Sequence, residues 1–286
     1  MTVALFVKVY DGIVVATDSA TTIPLVQNGA VVGHQVYNNA NKVFQLHRQK
    51  PIAAATWGMG VIGAASIETL AKDLRRRLSG LDGDQPGWRL DDDYSVFGVA
   101  ERIVEMMFDE LYSQLAPRNV PNRDRTLGFL VAGYSGHARH SEAYTVVMED
   151  PNVRPAPQLA AAAHGTGWAA YAQTEAVHRM FNGWDPTLPA ASVPYIGSNQ
   201  GAGFMNLLNE MRRMAVVPGM PFADAIEFAR FLVTTTIGYS RFTLGPDSVG
   251  GQVEIAGISR HEGFKWVSRK HYYHAELNPE DPHHDR

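Results

Sequence analysis

The chain has 286 residues, 45% hydrophobic and 19% charged, with a formal net charge of −4. This excludes a disordered chain and gives no reason to expect nucleic acid as a partner; the length suits one large layered domain as well as two. There is no cysteine, which rules out disulfides, thiolate metal sites and a cysteine nucleophile. No apolar run approaches a membrane span, and the first residues lack the basic, apolar and small-residue pattern of a secretory signal. The expectation is a cytoplasmic protein with no membrane partner.

In chain order, 3–9 and 13–17 read as two short strands joined by an Asp11-Gly12 turn. Both faces of each are apolar, as in a sheet covered on both sides. Residues 23–38, with Pro24, Asn28-Gly29 and Gly33, read as a loop or β excursion, and 42–46 and 51–57 as another strand pair. Ile67, Leu70, Ala71, Leu74 and Leu78 mark one helical stripe over 64–78. A loop over 80–93 precedes a second helix over about 94–115. Residues 126–133 and 142–149 form a further antiparallel pair, and 159–163 a strand. Gly165-Thr166-Gly167 then breaks the chain before a helix over about 168–181. The proline-containing stretch 182–220 reads as an insertion carrying a short helix at 202–214. A longer helix spans 221–237, strands lie at 252–258 and near 264–268, and 271–286 is a polar tail.

This order lacks βαβ alternation. It predicts an α+β fold in one domain over 1–270, with two antiparallel sheets stacked face to face and helices on the outer faces.

Thr2 follows the initiator Met1 directly, and a small second residue favours removal of that methionine. Removal would leave a hydroxyl and a free α-amine on one residue. Such an amine, with a reference pKa of about 7.7–8.0, can act as a base near neutral pH, and a hydroxyl beside it is an activated nucleophile.

The run from Thr2 through the turn to Asp18, with Asn41-Lys42-Val43-Phe44 after it, resembles the proteasome β-subunit group of N-terminal nucleophile (Ntn) hydrolases. The interval from threonine to aspartate is the family's own. The resemblance extends over roughly 2–78, 126–181 and 221–268, and implies a four-layer αββα sandwich. It implies a catalytic Thr2, with Lys42 lowering the pKa of its amine and Asp18 orienting Lys42. The alternative for Lys42 alone is an edge-strand lysine in water. Gly58, in Ala54-Ala55-Thr56-Trp57-Gly58-Met59-Gly60, would supply the N–H that holds the oxyanion, or serve as an ordinary strand-to-helix glycine, or both. His164-Gly165-Thr166-Gly167 is similar to the family's Gly-Ser-Gly motif at a helix start, with Thr166 in place of the serine. Pro246-Asp247-Ser248-Val249-Gly250-Gly251 is similar to its Asp-x-x-Ser-Gly-Gly segment, which implies that Asp247 and Ser248 support the N-terminus; a tight turn is the alternative. By analogy Thr21, Ala40, Phe44, Thr56 and Gly60 would form the substrate pocket.

Three departures mark a divergent bacterial member: Ala20 where an arginine is common, a longer stretch between Asp18 and Lys42, and the 182–220 insertion. The implied activity is amide-bond hydrolysis on a peptide or small amide through an acyl-enzyme, without a cofactor, in a homo-oligomeric ring with any ATPase or regulator unknown. The rivals are a small-molecule Ntn amidohydrolase and a catalytically silent structural subunit. The eleven histidines show no ligand spacing, so no metal is expected, and Gly197–Gly203 lacks the Lys-Ser/Thr of a phosphate loop.

Overall fold

The computed structural model describes residues 2–27, 30–83, 86–115, 125–197, 200–244 and 249–271. Strands β1 (Val3–Val9) and β2 (Gly12–Thr17) form a hairpin whose strand residues are all buried. The turn residues are Tyr10 and Asp11, because Val9 pairs with Gly12. Gly12 is therefore the first residue of β2 and not a turn residue. A Cβ there would lie 2.6 Å from the carbonyl oxygen of Ile258 and from the Phe222 ring, so only glycine fits.

Next come β3 (Thr21–Gln27) and β4 (Ala30–Tyr37), a two-stranded hairpin of its own. β5 (Val43–Gln45) and β6 (Ile52–Gly58) pair antiparallel. The short strands β7 (Val61–Ile62) and β8 (Ala65–Ser66) lead into α1 (Ile67–Leu78). Ser66 caps α1 by accepting from the Thr69 N–H at 3.2 Å, and the expected apolar stripe is its buried side.

The second expected helix is shorter and less regular than its periodicity implies. An α-helical part, α2 (Val96–Ile103), passes into a π-helical stretch, Val104–Asp109, and then a 3-10 turn at Tyr112–Gln114. β9 (Leu127–Gly133), β10 (Glu142–Met148) and β11 (Gln158–Ala161) follow.

The largest departure from expectation comes next. Residues 168–172 are strand, not helix: β12 (Gly167–Ala172) pairs with β1, and α3 starts only at Glu175 (Glu175–Asn182). Alternation explains it. Trp168 packs among Phe181 and Phe228 on one side of its sheet, while Tyr171 stacks on Trp57 of the other sheet, ring centroids 4.8 Å apart. The last elements are α4 (Leu188–Ser192), α5 (Gly201–Glu210), α6 (Phe222–Phe242), β13 (Glu254–Ser259) and β14 (Gly263–Ser268).

Two five-stranded sheets organise the chain, in the orders β12-β1-β2-β13-β14 and β11-β10-β9-β6-β5, with every pairing antiparallel. One apolar cluster draws Phe6, Ile13, Val15 and Ile258 from the first sheet and Ala55, Trp57 and Leu130 from the second. A second cluster joins β1 and β2 to α6, and a third joins β6 and β9 to α1 and α2. The fold is thus mixed α+β with stacked antiparallel strands. Among the described residues, no helix is long and apolar enough to cross a membrane.

Candidate active site

The β1–β2 register explains the interval between Thr2 and Asp18. Ala4 pairs with Thr17, so continuing one residue outward sets Val3 beside Asp18. The Asp18 N–H donates to the Val3 carbonyl at 3.3 Å, and the Val3 N–H donates to Asp18 Oδ1 at 3.1 Å. Thr2 lies one step further out and is buried, with its carbonyl accepting from the Gln173 N–H at 2.9 Å.

Asp18 is fully buried and its carboxylate is saturated. Oδ1 accepts from Val3 and from Lys42; Oδ2 accepts from the N–H groups of Ala20 and Gly250, both at 3.0 Å. Four donors converge on this one carboxylate and hold it in place.

Lys42 immediately precedes β5 on the edge of the other sheet and is 4% exposed, which removes the solvated edge-lysine alternative. Its Nζ donates to Thr2 Oγ1 at 2.5 Å, to Asp18 Oδ1 at 2.9 Å and to the Ala20 carbonyl. An ammonium has three protons, and all three are used. Burial pushes the Lys42 pKa below the ordinary lysine value, against the opposing pull of Asp18. The result is a desolvated, oriented cation on a threonine hydroxyl.

Thr2, Thr21, Ala40, Lys42, Thr56, Gly58 and Gly60 all line one cavity of about 200 Å³. Its remaining walls are Ile23, Trp57, Met59, Val61 and Ile67 with the polar Asn41, Ser66 and Glu68, and most of the surface it exposes is apolar. Gly58 has φ +87°, and a Cβ there would come within 1.9 Å of the Thr126 carbonyl oxygen. The Thr56 N–H donates to the Lys42 carbonyl at 3.0 Å. Two residues on, strand alternation turns the Gly58 N–H toward the same edge, beyond the start of β5. Gly60 also has to be small, since a Cβ would meet Thr21 Oγ1 at 2.7 Å.

Other expected residues are not gathered here. Phe44 is packed in the cluster under α1 and does not line this cavity. Thr166 is at the wrong end of β12. Val3 pairs with Ala172 and Lys8 with Gly167, so Thr2 and Thr166 lie just beyond opposite ends of the ladder, on the order of 20 Å apart. The resemblance to a helix-start motif fails because the segment after Thr166 is a strand. The connection that does reach Thr2 is Gln173-Thr174, between β12 and α3. Ala172, beside it, has φ +66° and is the one non-glycine residue with positive φ among the described residues. Reading 167–172 as alternating strand would have pointed to these residues.

Asp247 and Ser248 lie outside the described residues, but their neighbours reach the site. Gly250 donates to Asp18 and its carbonyl accepts from the Ser19 N–H at 2.9 Å. Ala20, the departure from the family's arginine, contributes through its main chain, donating to Asp18 and accepting from Lys42. Among the described residues there is no group of three or more His, Asp or Glu able to hold a metal ion.

No protein-family model matches the chain, and no curated protein matches it. Among solved structures, it is similar to "Anbu (ancestral beta-subunit) from Yersinia bercovieri", with 13% sequence identity and a TM-score of 0.49, over 94% of this chain and 88% of that one. A likeness at that distance carries no chemistry to this chain, which rests on the geometry above.

Proposed function

We propose that this chain is a proteasome-like threonine hydrolase that cleaves amide bonds with Thr2 after removal of Met1. The observation that carries the reading is the buried Lys42 ammonium, bonded at once to the Thr2 hydroxyl and to Asp18. A lysine held at that cost, with its charge on a hydroxyl that opens into a cavity, is arranged to stabilise an oxygen nucleophile.

The Thr2 α-amine takes the proton of Oγ1, through a water, as Oγ1 attacks the substrate carbonyl carbon. The oxygen of the tetrahedral intermediate takes the negative charge and is held by the Gly58 N–H. The protonated amine gives its proton to the leaving nitrogen, the C–N bond breaks, and an ester on Thr2 remains. Water then attacks the ester with the amine as base; the acid leaves and Oγ1 regains its proton. Lys42 favours the alkoxide and, by its charge, lowers the proton affinity of the amine. No cofactor takes part.

The apolar cavity beside Thr2 would take one apolar side chain of a peptide, or the acyl part of a small amide. In this reading the three apolar clusters are the interlayer cores of a four-layer αββα sandwich forming one domain over 1–270. The segment 182–220 is an insertion into it. A cytoplasmic homo-oligomeric ring completes the proposal.

The test is intact-mass analysis of the purified chain with and without a threonine-reactive epoxyketone. The expected result is a chain lacking Met1 that gains one adduct on Thr2. An intact Met1, or a Thr2→Ala variant that keeps full hydrolytic activity, refutes the mechanism. A particle the size of one 31.4 kDa chain refutes the ring.

A further inference from the structure

Behind Lys42 lies a second buried ion pair that does not line the cavity. Glu254 opens β13 and Lys270 follows β14 by two residues; they are 1% and 6% exposed, with Nζ and Oε1 3.2 Å apart. Each is bonded to the main chain around the site. Glu254 Oε2 accepts the Lys42 N–H at 3.0 Å and the Val43 N–H at 3.4 Å. Lys270 donates to the Ala40 carbonyl at 2.7 Å and to the Ser19 hydroxyl, which donates in turn to the Gln252 carbonyl at 2.5 Å. The pair therefore grips the chain on both sides of Lys42 and at the residue after Asp18.

Fold stability alone is a poor account of this pair. Each buried ion carries a desolvation penalty, and well-packed apolar residues often serve a core as well or better. What apolar residues could not do is accept the Lys42 and Val43 N–H groups, hold the Ala40 carbonyl, and bring two opposite charges within electrostatic reach of the Lys42 ammonium.

We propose that Glu254 and Lys270 are positioning residues for Lys42, fixing the main chain that carries it and setting the charge around its ammonium. The proposal rests on the reading of Thr2 as nucleophile. Three charged groups act on Lys42: Asp18 touches it and Glu254 lies behind it, both favouring its protonated form, and Lys270 opposes that form. The α-amine freed on Thr2, neutral when it acts as base, is the further titratable group at the site. Glu68 of α1 bonds Asn41, the preceding residue, at 2.9 Å.

The experiment follows epoxyketone adduct formation on Thr2 by intact mass, in the full chain lacking Met1, from about pH 6 to 10. It compares wild type with Glu254→Gln, Glu254→Ala and Lys270→Met. Glu254→Gln keeps one oxygen to accept the Lys42 N–H while removing the charge and the oxygen that faces Lys270, whereas Glu254→Ala removes every acceptor. The expected labelling rate falls about tenfold or more in Glu254→Ala, with partial rescue in Glu254→Gln. The alkaline limb of the rate profile, where Lys42 loses its proton, moves down in Glu254→Gln and up in Lys270→Met. A merely structural role would not move the limb in opposite directions. Wild-type rates and unmoved limbs in folded variants overturn the proposal and leave the Thr2 reading intact, and so do limbs that move the same way. A wild-type chain lacking Met1 that forms no adduct overturns both. Where a single variant does not fold, Glu254→Gln combined with Lys270→Met removes both charges together. Its labelling rate is expected about tenfold or more below wild type, and an equal rate overturns the proposal.

Discussion

Replacing Lys42 with alanine separates the chemistry of the site from its stability. The substitution removes three hydrogen bonds and leaves Asp18 as a fully buried carboxylate without its cation. Breaking a buried pair from one side costs about 3–5 kcal/mol. Asp18 keeps the N–H groups of Val3, Ala20 and Gly250, so the lower end, about 3 kcal/mol, is expected. At about 2–4 °C per kcal/mol for chains approaching this size, the midpoint falls by roughly 6–12 °C. The rate effect is larger. Losing one preorganised donor to a developing oxyanion costs about 10²–10³ in rate, and here the donor is charged and desolvated, so the upper value applies. Thermal unfolding gives the first number, and epoxyketone labelling well below the melting point gives the second. The double variant Asp18→Asn with Lys42→Met removes both charges; it is expected to recover most of the stability and none of the activity. A folded Lys42→Ala chain that labels within threefold of wild type refutes the assignment of Lys42. Full activity in the double variant would refute the whole arrangement.

Thr166→Ala, far from Thr2 along β12, is expected to label and hydrolyse within about twofold of wild type; a hundredfold loss would restore the motif assignment that the strand overturns. Ala172→Gly relieves a left-handed alanine, worth about 1–2 kcal/mol, against a glycine entropy cost of about 0.5–1 kcal/mol, so a small rise in the urea midpoint is expected and a fall would contradict the backbone geometry. Gly58→Ala drives a Cβ into the Thr126 carbonyl oxygen and adds left-handed strain, so stability is expected to drop by more than about 2 kcal/mol; a neutral result by thermal unfolding would show that the turn differs. Lys8 is buried against the carbonyls of Ala162 and Ala163, and burial lowers its pKa from 10.5 to about 8. The unfolded chain then binds more protons between about 8 and 10.5, so the Lys8 contribution to stability rises with pH through that window. Subtracting the urea-unfolding profile of Lys8→Met from that of wild type should leave a positive slope there, and a flat or negative difference would contradict it.

How far the site could be read from the sequence depended on the separation of its parts. Thr2 and Asp18 sit on adjacent arms of one hairpin, so a local register brings them together, and spacing alone carries that information. Moving the turn from Asp11-Gly12 to Tyr10-Asp11 leaves the count from residue 2 to residue 18 untouched. Lys42 comes from the other sheet, and no local rule predicts its contact with Thr2; the resemblance pointed to it through the pattern around Val43 and Phe44. Where that resemblance was tied to a wrong element, it misled. Trp168-Ala169-Ala170-Tyr171-Ala172 reads as helix because alanine favours one, but its two aromatics fill opposite faces of a strand, and β1 needs that strand to cover its outer edge. The displaced helix start took Thr166 away from the site and put Gln173 there. Glu254 and Lys270 were illegible for a different reason. One opens a strand and the other follows one, positions where a charged residue ordinarily meets water. Their burial is a property of how β13 closes over Lys42, so the same fold that makes Lys42 costly to bury also brings the two charges that steady it.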